Sequence, residues 1–500
     1  MSALLAVADP VLQQAKAMED EMIADLPWLA PIGALTVGAI GAVVLALMVR
    51  RDRQGLVAVW VAAAHLACAG LAAWVWLDRG FRATMTGTVM IDGLSLTFAG
   101  VVGVAGAVAV MLVRPSLAGT DREGELYAVL TASSLAAVVL ACASDIALLA
   151  IGLGLLSLSS FVMTGYLRRT ARSNEASLKY YIYGTVAGAT MVYGLSWWFG
   201  LAGSTAYDAI GVALPKEGTA VVVVSTALVV VGLAYKASLV PLHFWTPDVY
   251  DGAPLPVAAY LSVLPKIAGL LALARVLPVV LPHGAEGWPT AIAVIAAATM
   301  TVGNLAALAQ RNVVRLLAYS SIAQAGYLLM GVAALADSDQ GLSALVYYAM
   351  AYAATNLAAF AVVLAVQRER RSVDLDAFAG LGRTHPWWTA ALVLAFLSLL
   401  GLPPLSGFVG KLEVFAAAID AGQAWLAVVA VINTVISLYY YLRVIAPTVL
   451  RPAPADAPPP RAAGATLAGG IAVATIATVA IGVVAQPLLT LADRAVAITG

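Results

Sequence analysis

Three lysines, Lys236, Lys266 and Lys411, lie inside long apolar runs of this 500-residue chain. An ammonium group at the centre of a bilayer costs about 3 kcal/mol on insertion scales, so it must face a protein interior or a wet cavity. The chemistry that suits such a residue is proton transfer. A desolvated ammonium can give up its proton, whereas a guanidinium stays charged. Two of the three also have a helix breaker nearby. Pro241 follows Lys236, and Pro403, Pro404, Gly407 and Gly410 precede Lys411. A proline has no amide hydrogen to donate, so a helix should break at Pro241 and again at Pro403–Pro404. A broken helix beside a buried lysine frees carbonyls and makes room for water, as in ion-translocating transporters.

Snorkelling to the headgroups is the alternative for each lysine. For Lys236 it is disfavoured because the apolar run resumes at Val240 to Trp245. For Lys266 it is disfavoured because the residue sits near the middle of a span from Leu255 to Leu277. Lys411 follows its break and precedes Leu412, Val414 and Phe415. Glu413, two residues on, points to a different helix face and reads as an interface residue. Secondary candidates are Lys179, which opens a span either at the interface or on a polar path, and His243. The histidine either extends that path or bonds the freed carbonyls. His65 reads as a histidine satisfied by a neighbouring helix, and Asp248 and Asp251, in WTPDVYDGAP, as turn-fixing residues.

The elements that position these side chains are membrane spans. The chain is 62% hydrophobic and 11% charged, against about 25% charged for a soluble domain, so it is polytopic rather than anchored. Net charge is zero, which gives no sign of a nucleic-acid partner. Cys68 and Cys142 lie in apolar runs as small core residues, and no His or Cys cluster has metal-ligand spacing. No phosphate-binding loop, dinucleotide glycine motif or nucleophile elbow is present, so no cofactor is expected in this chain. The acidic first 27 residues do not resemble a cleavable signal, and Val11–Met22 is expected to form a short surface helix.

About fourteen apolar stretches approach the ~20 residues that a span needs. They centre near Gly38, His65, Gly103, Ala136, Leu155, Ala189, Val229, Ser262, Ala297, Ala325, Ala354, Leu400, Val431 and Ala474. With the amino terminus outside, about seventeen of the 27 basic residues fall on one side and about six on the other, a positive-inside bias. That places both termini on the outer side of a bacterial inner membrane. The two Pro/Gly-interrupted regions predict two inverted five-helix units, 125–278 and 289–448, with broken helices 7 and 12. Residues 1–124 supply the first three spans. The Pro/Ala-rich connection 449–462 opens a last segment, 449–500, whose span should cover about 463–490. The fold class expected is therefore an all-α polytopic membrane protein.

With these residues in view, the chain closely resembles the antiporter-like N subunit of respiratory complex I, the NADH–quinone oxidoreductase. The motifs are VPLHFWTPDVYDGAPLPVAAYLSVLPK at 240–266, GNLAALAQRNVVRLLAYSSIAQAGYLLMG at 303–331 and LSLLGLPPLSGFVGKLEVF at 397–415, with a weaker match in SLKYYIYG at 177–184. A lysine at 411 favours the N type over the M type, and no long lateral helix of the L type follows the last spans. The resemblance implies a proton path through Lys236, Lys266 and Lys411, with Gln324 where some relatives carry histidine. It also implies that quinone, FMN and iron–sulfur clusters are held by partner subunits in the same membrane assembly. One position departs from the pattern. The fifth span reads IGLGLLSLSS, with Gly154 where the family is expected to carry the glutamate that pairs with the seventh-helix lysine. Either another acid substitutes, or coupling in this chain is altered or lost. The alternatives to a proton-translocating subunit are a subunit of a multisubunit Na⁺/H⁺ antiporter and a structural subunit that no longer pumps.

Overall fold

The computed structural model describes residues 16, 19–118, 120, 122–166, 170–281, 287–454 and 458–496. The short helix expected over Val11–Met22 lies partly outside them; residues 19–25 are helical. The helices run in the order α1 Ala30–Met48, α2 Gly55–Trp74, α3 Gly93–Leu117, α4 Glu123–Cys142, α5 Ile146–Thr164, α6 Ala171–Ala202 and the short α7 Tyr207–Ala213. Then come α8 Thr219–Ala237, α9 Trp245–Gly252, α10 Leu255–Leu261, α11 Leu264–Val280, α12 Trp288–Leu308, α13 Val313–Ala333 and α14 Gly341–Arg370. The last are α15 Leu381–Thr384, α16 Pro386–Leu400, α17 Ser406–Asp420, α18 Ala424–Leu450, α19 Ala465–Val483 and α20 Ala485–Val496.

Among the described residues, twelve helical segments are long and apolar enough to cross a membrane. The apolar stretches near Ala189 and Leu400 are the remaining two. The first is the 32-residue α6, and the second is the 15-residue α16 with α17 close behind. Apolar side chains alone do not say which helix is central, because lipid accepts them as readily as protein does. Burial does. The spans formed by α13, α14 and α10–α11 are 94%, 89% and 83% buried, whereas α1 and α19 are 22% and 28% buried. The core of the molecule is thus α10–α11, α13 and α14, and α1 and α19 lie at the rim.

Several local expectations are corrected. The fold is all-helical as expected, with one short hairpin that was not anticipated: Arg82–Thr84 pairs antiparallel with Val89–Ile91 between α2 and α3. Strands of three residues are too short to show alternation in so apolar a sequence. The span carrying Lys266 is not one helix. It stops at Ser262 and restarts at Leu264, where Pro265 has no amide hydrogen for the carbonyl of Leu261. The final span ends at Val483 rather than near 490, and the amphipathic α20 follows it. The connection after α18 has no helix over 451–454 and 458–464.

Candidate functional site

Lys236 is the penultimate residue of α8, which ends where Ser238 takes a left-handed conformation at φ +62°. The amide of Leu239 returns to the carbonyl of Ala234 at 2.9 Å, closing the helix end. Pro241 lies four residues past the last helical one, so the carbonyl of Ala237 has no amide partner from the chain ahead. The Lys236 side chain is buried and reaches across to α5 and α6. Its Nζ donates to the Leu156 carbonyl (3.3 Å), Ser160 Oγ (3.3 Å), Ser157 Oγ (3.5 Å) and Tyr180 Oη (3.2 Å). All four are neutral oxygens. Behind them Tyr180 stacks on Trp245 with ring centroids 4.4 Å apart, so the first residue of α9 seals the pocket that the last turn of α8 opens.

Lys266 lies in the first turn of α11 and is completely buried. Its Nζ donates to both the carbonyl and the Oγ of Ser321 on α13, each at 2.8 Å, and lies 6.0 Å from the Tyr250 ring. The interruption before it is held from α14: Tyr352 Oη donates to the Ser262 carbonyl (2.8 Å) and Asn356 Nδ2 to Ser262 Oγ (2.6 Å). One turn beyond Ser321, on the same side of α13, stands Gln324. It donates from Nε2 to the Leu399 carbonyl (2.9 Å) and accepts from Tyr348 Oη. Leu399 and Leu400 close α16, and Lys411 Nζ donates to the Leu400 carbonyl at 3.0 Å. Lys266 thus bonds Ser321, Gln324 stands one turn further along α13, and Gln324 and Lys411 bond the successive carbonyls of Leu399 and Leu400 at the end of α16.

Lys411, on α17, is buried, also donates to Thr434 Oγ1 (3.2 Å), and sits 4.3 Å from the Tyr327 ring. A cation over an aromatic face is stabilised by about 1–2 kcal/mol when desolvated. The site depends on Gly401, which ends α16 at φ +91°. A Cβ there would lie 2.9 Å from Lys411 Cδ. Gly401→Ala is expected to cost about 2 kcal/mol from backbone strain alone and to push the lysine off the Leu400 carbonyl. A lowered unfolding midpoint of the purified complex, together with slower proton uptake, is the expected result.

The other sequence candidates go elsewhere. Lys179 donates to Asp248 (2.8 Å) and Glu175 (2.7 Å) and stays partly exposed, so it does not join the buried lysines. Asp248 and Asp251 are not turn-fixing residues. Asp248 also accepts from Arg315 (3.0 Å), and Asp251 pairs with Arg172 and accepts from Asn312 (3.0 Å). The two carboxylates, one turn apart on α9, clamp α6 to α13. His243 is half-buried between α8 and α9. His65 is buried, with Nδ1 2.8 Å from the Val61 carbonyl and Nε2 3.0 Å from Ser134 Oγ on α4, the satisfied state read for it. Glu413 makes no ion pair with Lys411. Ser157, Ser160, Tyr180 and Ser321 escaped the sequence reading. In a hydroxyl-rich apolar chain nothing marks four of them except the partner they meet in space.

This arrangement can be compared with known proteins. The family described as "NADH:quinone oxidoreductase/Mrp antiporter, TM" matches residues 143–437. NADH-quinone oxidoreductase subunit N 1 of Streptomyces griseus is 39% identical over 464 residues, covering 92% of this chain and 97% of that one. The chain belongs to the NADH-quinone oxidoreductase subunit N family. It is accordingly an antiporter-like, multi-pass membrane subunit of a complex I assembly. A chain of respiratory complex I from Thermus thermophilus with bound aureothin superposes with a TM-score of 0.79 at 31% identity, covering 93% of this chain and 99% of that one. A chain of the Mrp complex from Dietzia sp. superposes with a TM-score of 0.85, covering 94% of this chain and 97% of that one; at 24% identity that likeness is one of fold.

Gly154 lies one turn before Ser157 on α5, on an exposed face, and a Cβ there would meet nothing within 4 Å. None of Lys236, Lys266 and Lys411 forms an ion pair among the described residues. Among the described residues no acid pairs with Lys236, the role expected of a glutamate at position 154. Lys236 is held instead by hydroxyls and a carbonyl.

Proposed function

We propose that this chain translocates protons along Lys236, Lys266 and Lys411, driven by quinone reduction in other subunits of its complex I assembly. FMN, iron–sulfur clusters and quinone would be bound in those partners. Lys236 exchanges protons, Lys266 relays them, and Lys411 passes them toward the outside, with Gln324 bridging the last two. On this reading the fold has fourteen spans, with both termini outside a bacterial inner membrane. Units 125–278 and 289–448 are inverted repeats, with the seventh and twelfth helices broken at Pro241 and at Pro403–Pro404. Segments 1–124 and 449–500 flank them. His243 lies where water would enter the first break, and Lys179 belongs to the ion clamp that holds the entrance helices together.

The observation that carries this reading is that three buried ammonium groups rest on neutral oxygens alone. A lysine locked to a carboxylate would be structural cement. One held by hydroxyls and carbonyls can exist in either protonation state without leaving an unpaired anion behind. The test is proton uptake into vesicles holding the purified complex, with NADH as electron donor. Lys411→Met should slow it about tenfold, less than the ~10²-fold usual for a positioned proton carrier, because water can serve the last step. Uptake that instead needs Na⁺ and no electron donor would favour the antiporter reading. Gly154 is the observation that favours a subunit that has lost pumping.

A further inference from the structure

We propose that a cleft between α2, α3, α14 and α19 binds one anionic phospholipid, an acyl chain filling the cleft and the phosphate lying at Arg494. The cleft holds about 550 Å³ and is lined almost wholly by small and apolar side chains, among them Ala69, Gly100, Val104, Ala354 and Ala477. Along α3 it runs from Leu96 to Val108. At 1.5 Å per residue that is ~18 Å, close to one leaflet of a ~30 Å hydrocarbon core.

The polar features gather at one end. Trp76, at the close of α2, and Thr97, in the first turns of α3, lie there. Thr97 Oγ1 is buried and has no hydrogen-bond partner. Gly93, the first residue of α3, packs on Ala495, which brings the end of α20 to the same place. On α20, Leu488 and Leu491 face the cleft while Arg494 stands at its edge, exposed and with no ion pair among the described residues. An amphipathic helix lies at the headgroup level, where an arginine reaches phosphate.

Other occupants fit less well. A quinone tail would fit the walls but brings no anionic group for Arg494. A phospholipid meets both features: a chain one leaflet long and a charged head beside a guanidinium.

The experiment places the purified complex in phosphatidylcholine nanodiscs doped with phosphatidylglycerol or phosphatidylcholine bearing a photoreactive acyl chain, and maps the labelled peptides. Phosphatidylglycerol is expected to label α3 and α19 more than phosphatidylcholine does. Arg494→Gln should lower its labelling about fivefold, the ~1 kcal/mol of one basic residue near an anionic surface. Gly100→Phe should abolish labelling by both probes, because its side chain enters the cleft and a Cβ there meets nothing within 4 Å. NADH–quinone turnover of that variant, which touches no proposed proton carrier, reports assembly. Equal labelling by the two lipids with no effect of Arg494→Gln overturns the headgroup assignment. Unchanged labelling in assembled Gly100→Phe overturns the cleft as the site, and so does cross-linking of these residues to a neighbouring subunit's helix.

Discussion

Lys266→Met in the assembled complex should lower coupled proton uptake by about 10²-fold, the lower end of what a positioned proton-transfer group contributes. The residue is fully buried on one of the three most buried spans, and among the described residues its only hydrogen-bond partners are the two oxygens of Ser321. Methionine matches the length of the lysine stem, so no large cavity is left. Ser321 Oγ keeps its bond to the Ala318 carbonyl at 2.8 Å, so the variant strands few polar groups. Assembly should therefore survive and transport should not. Lys266→Arg separates charge from proton exchange. A guanidinium keeps its proton, so arginine should restore little or no transport although it preserves a positive group. Proton uptake per electron pair and NADH oxidation rate, measured in the same vesicles, give the answer. Wild-type values for both would remove Lys266 from the path.

The features that were legible in the sequence are those that violate the apolar background. A lysine in a hydrophobic run is a single-residue signal, so the burial of Lys236, Lys266 and Lys411 could be anticipated. Family membership was legible for the same reason: the motifs around those residues are dense in Pro, Gly and Lys. What the sequence hid depends on partners far away in the chain. Asp248 sits in a run that looks like a turn, and its role depends on Lys179 and Arg315, each more than sixty residues distant. The stop at Ser262 is sustained by Tyr352 and Asn356, on a helix that no local pattern links to it. The hydroxyls around Lys236 and Lys266 are chemically ordinary until a lysine reaches them. Their value comes from packing, and packing between apolar helices leaves only a weak trace in hydropathy.

Variants of Lys236 and Gly154 together test whether this chain pumps. Lys236→Ala should lower coupled uptake by about 10²-fold if the lysine exchanges protons. It should also open a buried cavity beside Tyr180, so Lys236→Met is the companion that keeps the volume. Gly154→Glu places a carboxylate one turn from Ser157, itself 3.5 Å from Lys236 Nζ, and the backbone there accepts a Cβ without contact. Left facing lipid, that carboxylate would cost about 3 kcal/mol, so it should turn inward to the ammonium. Groups in direct contact couple by about 0.5–3 kcal/mol. The glutamate should therefore change uptake by on the order of tenfold when Lys236 is present, and by nothing further when Lys236 is methionine. A neutral oxygen cage lets the lysine lose its proton without leaving an anion beside it. A carboxylate holds the charged form and demands a second event to release it. If Gly154→Glu and both Lys236 variants all pump at the wild-type rate, the cage is packing and the chain is a structural member of its assembly.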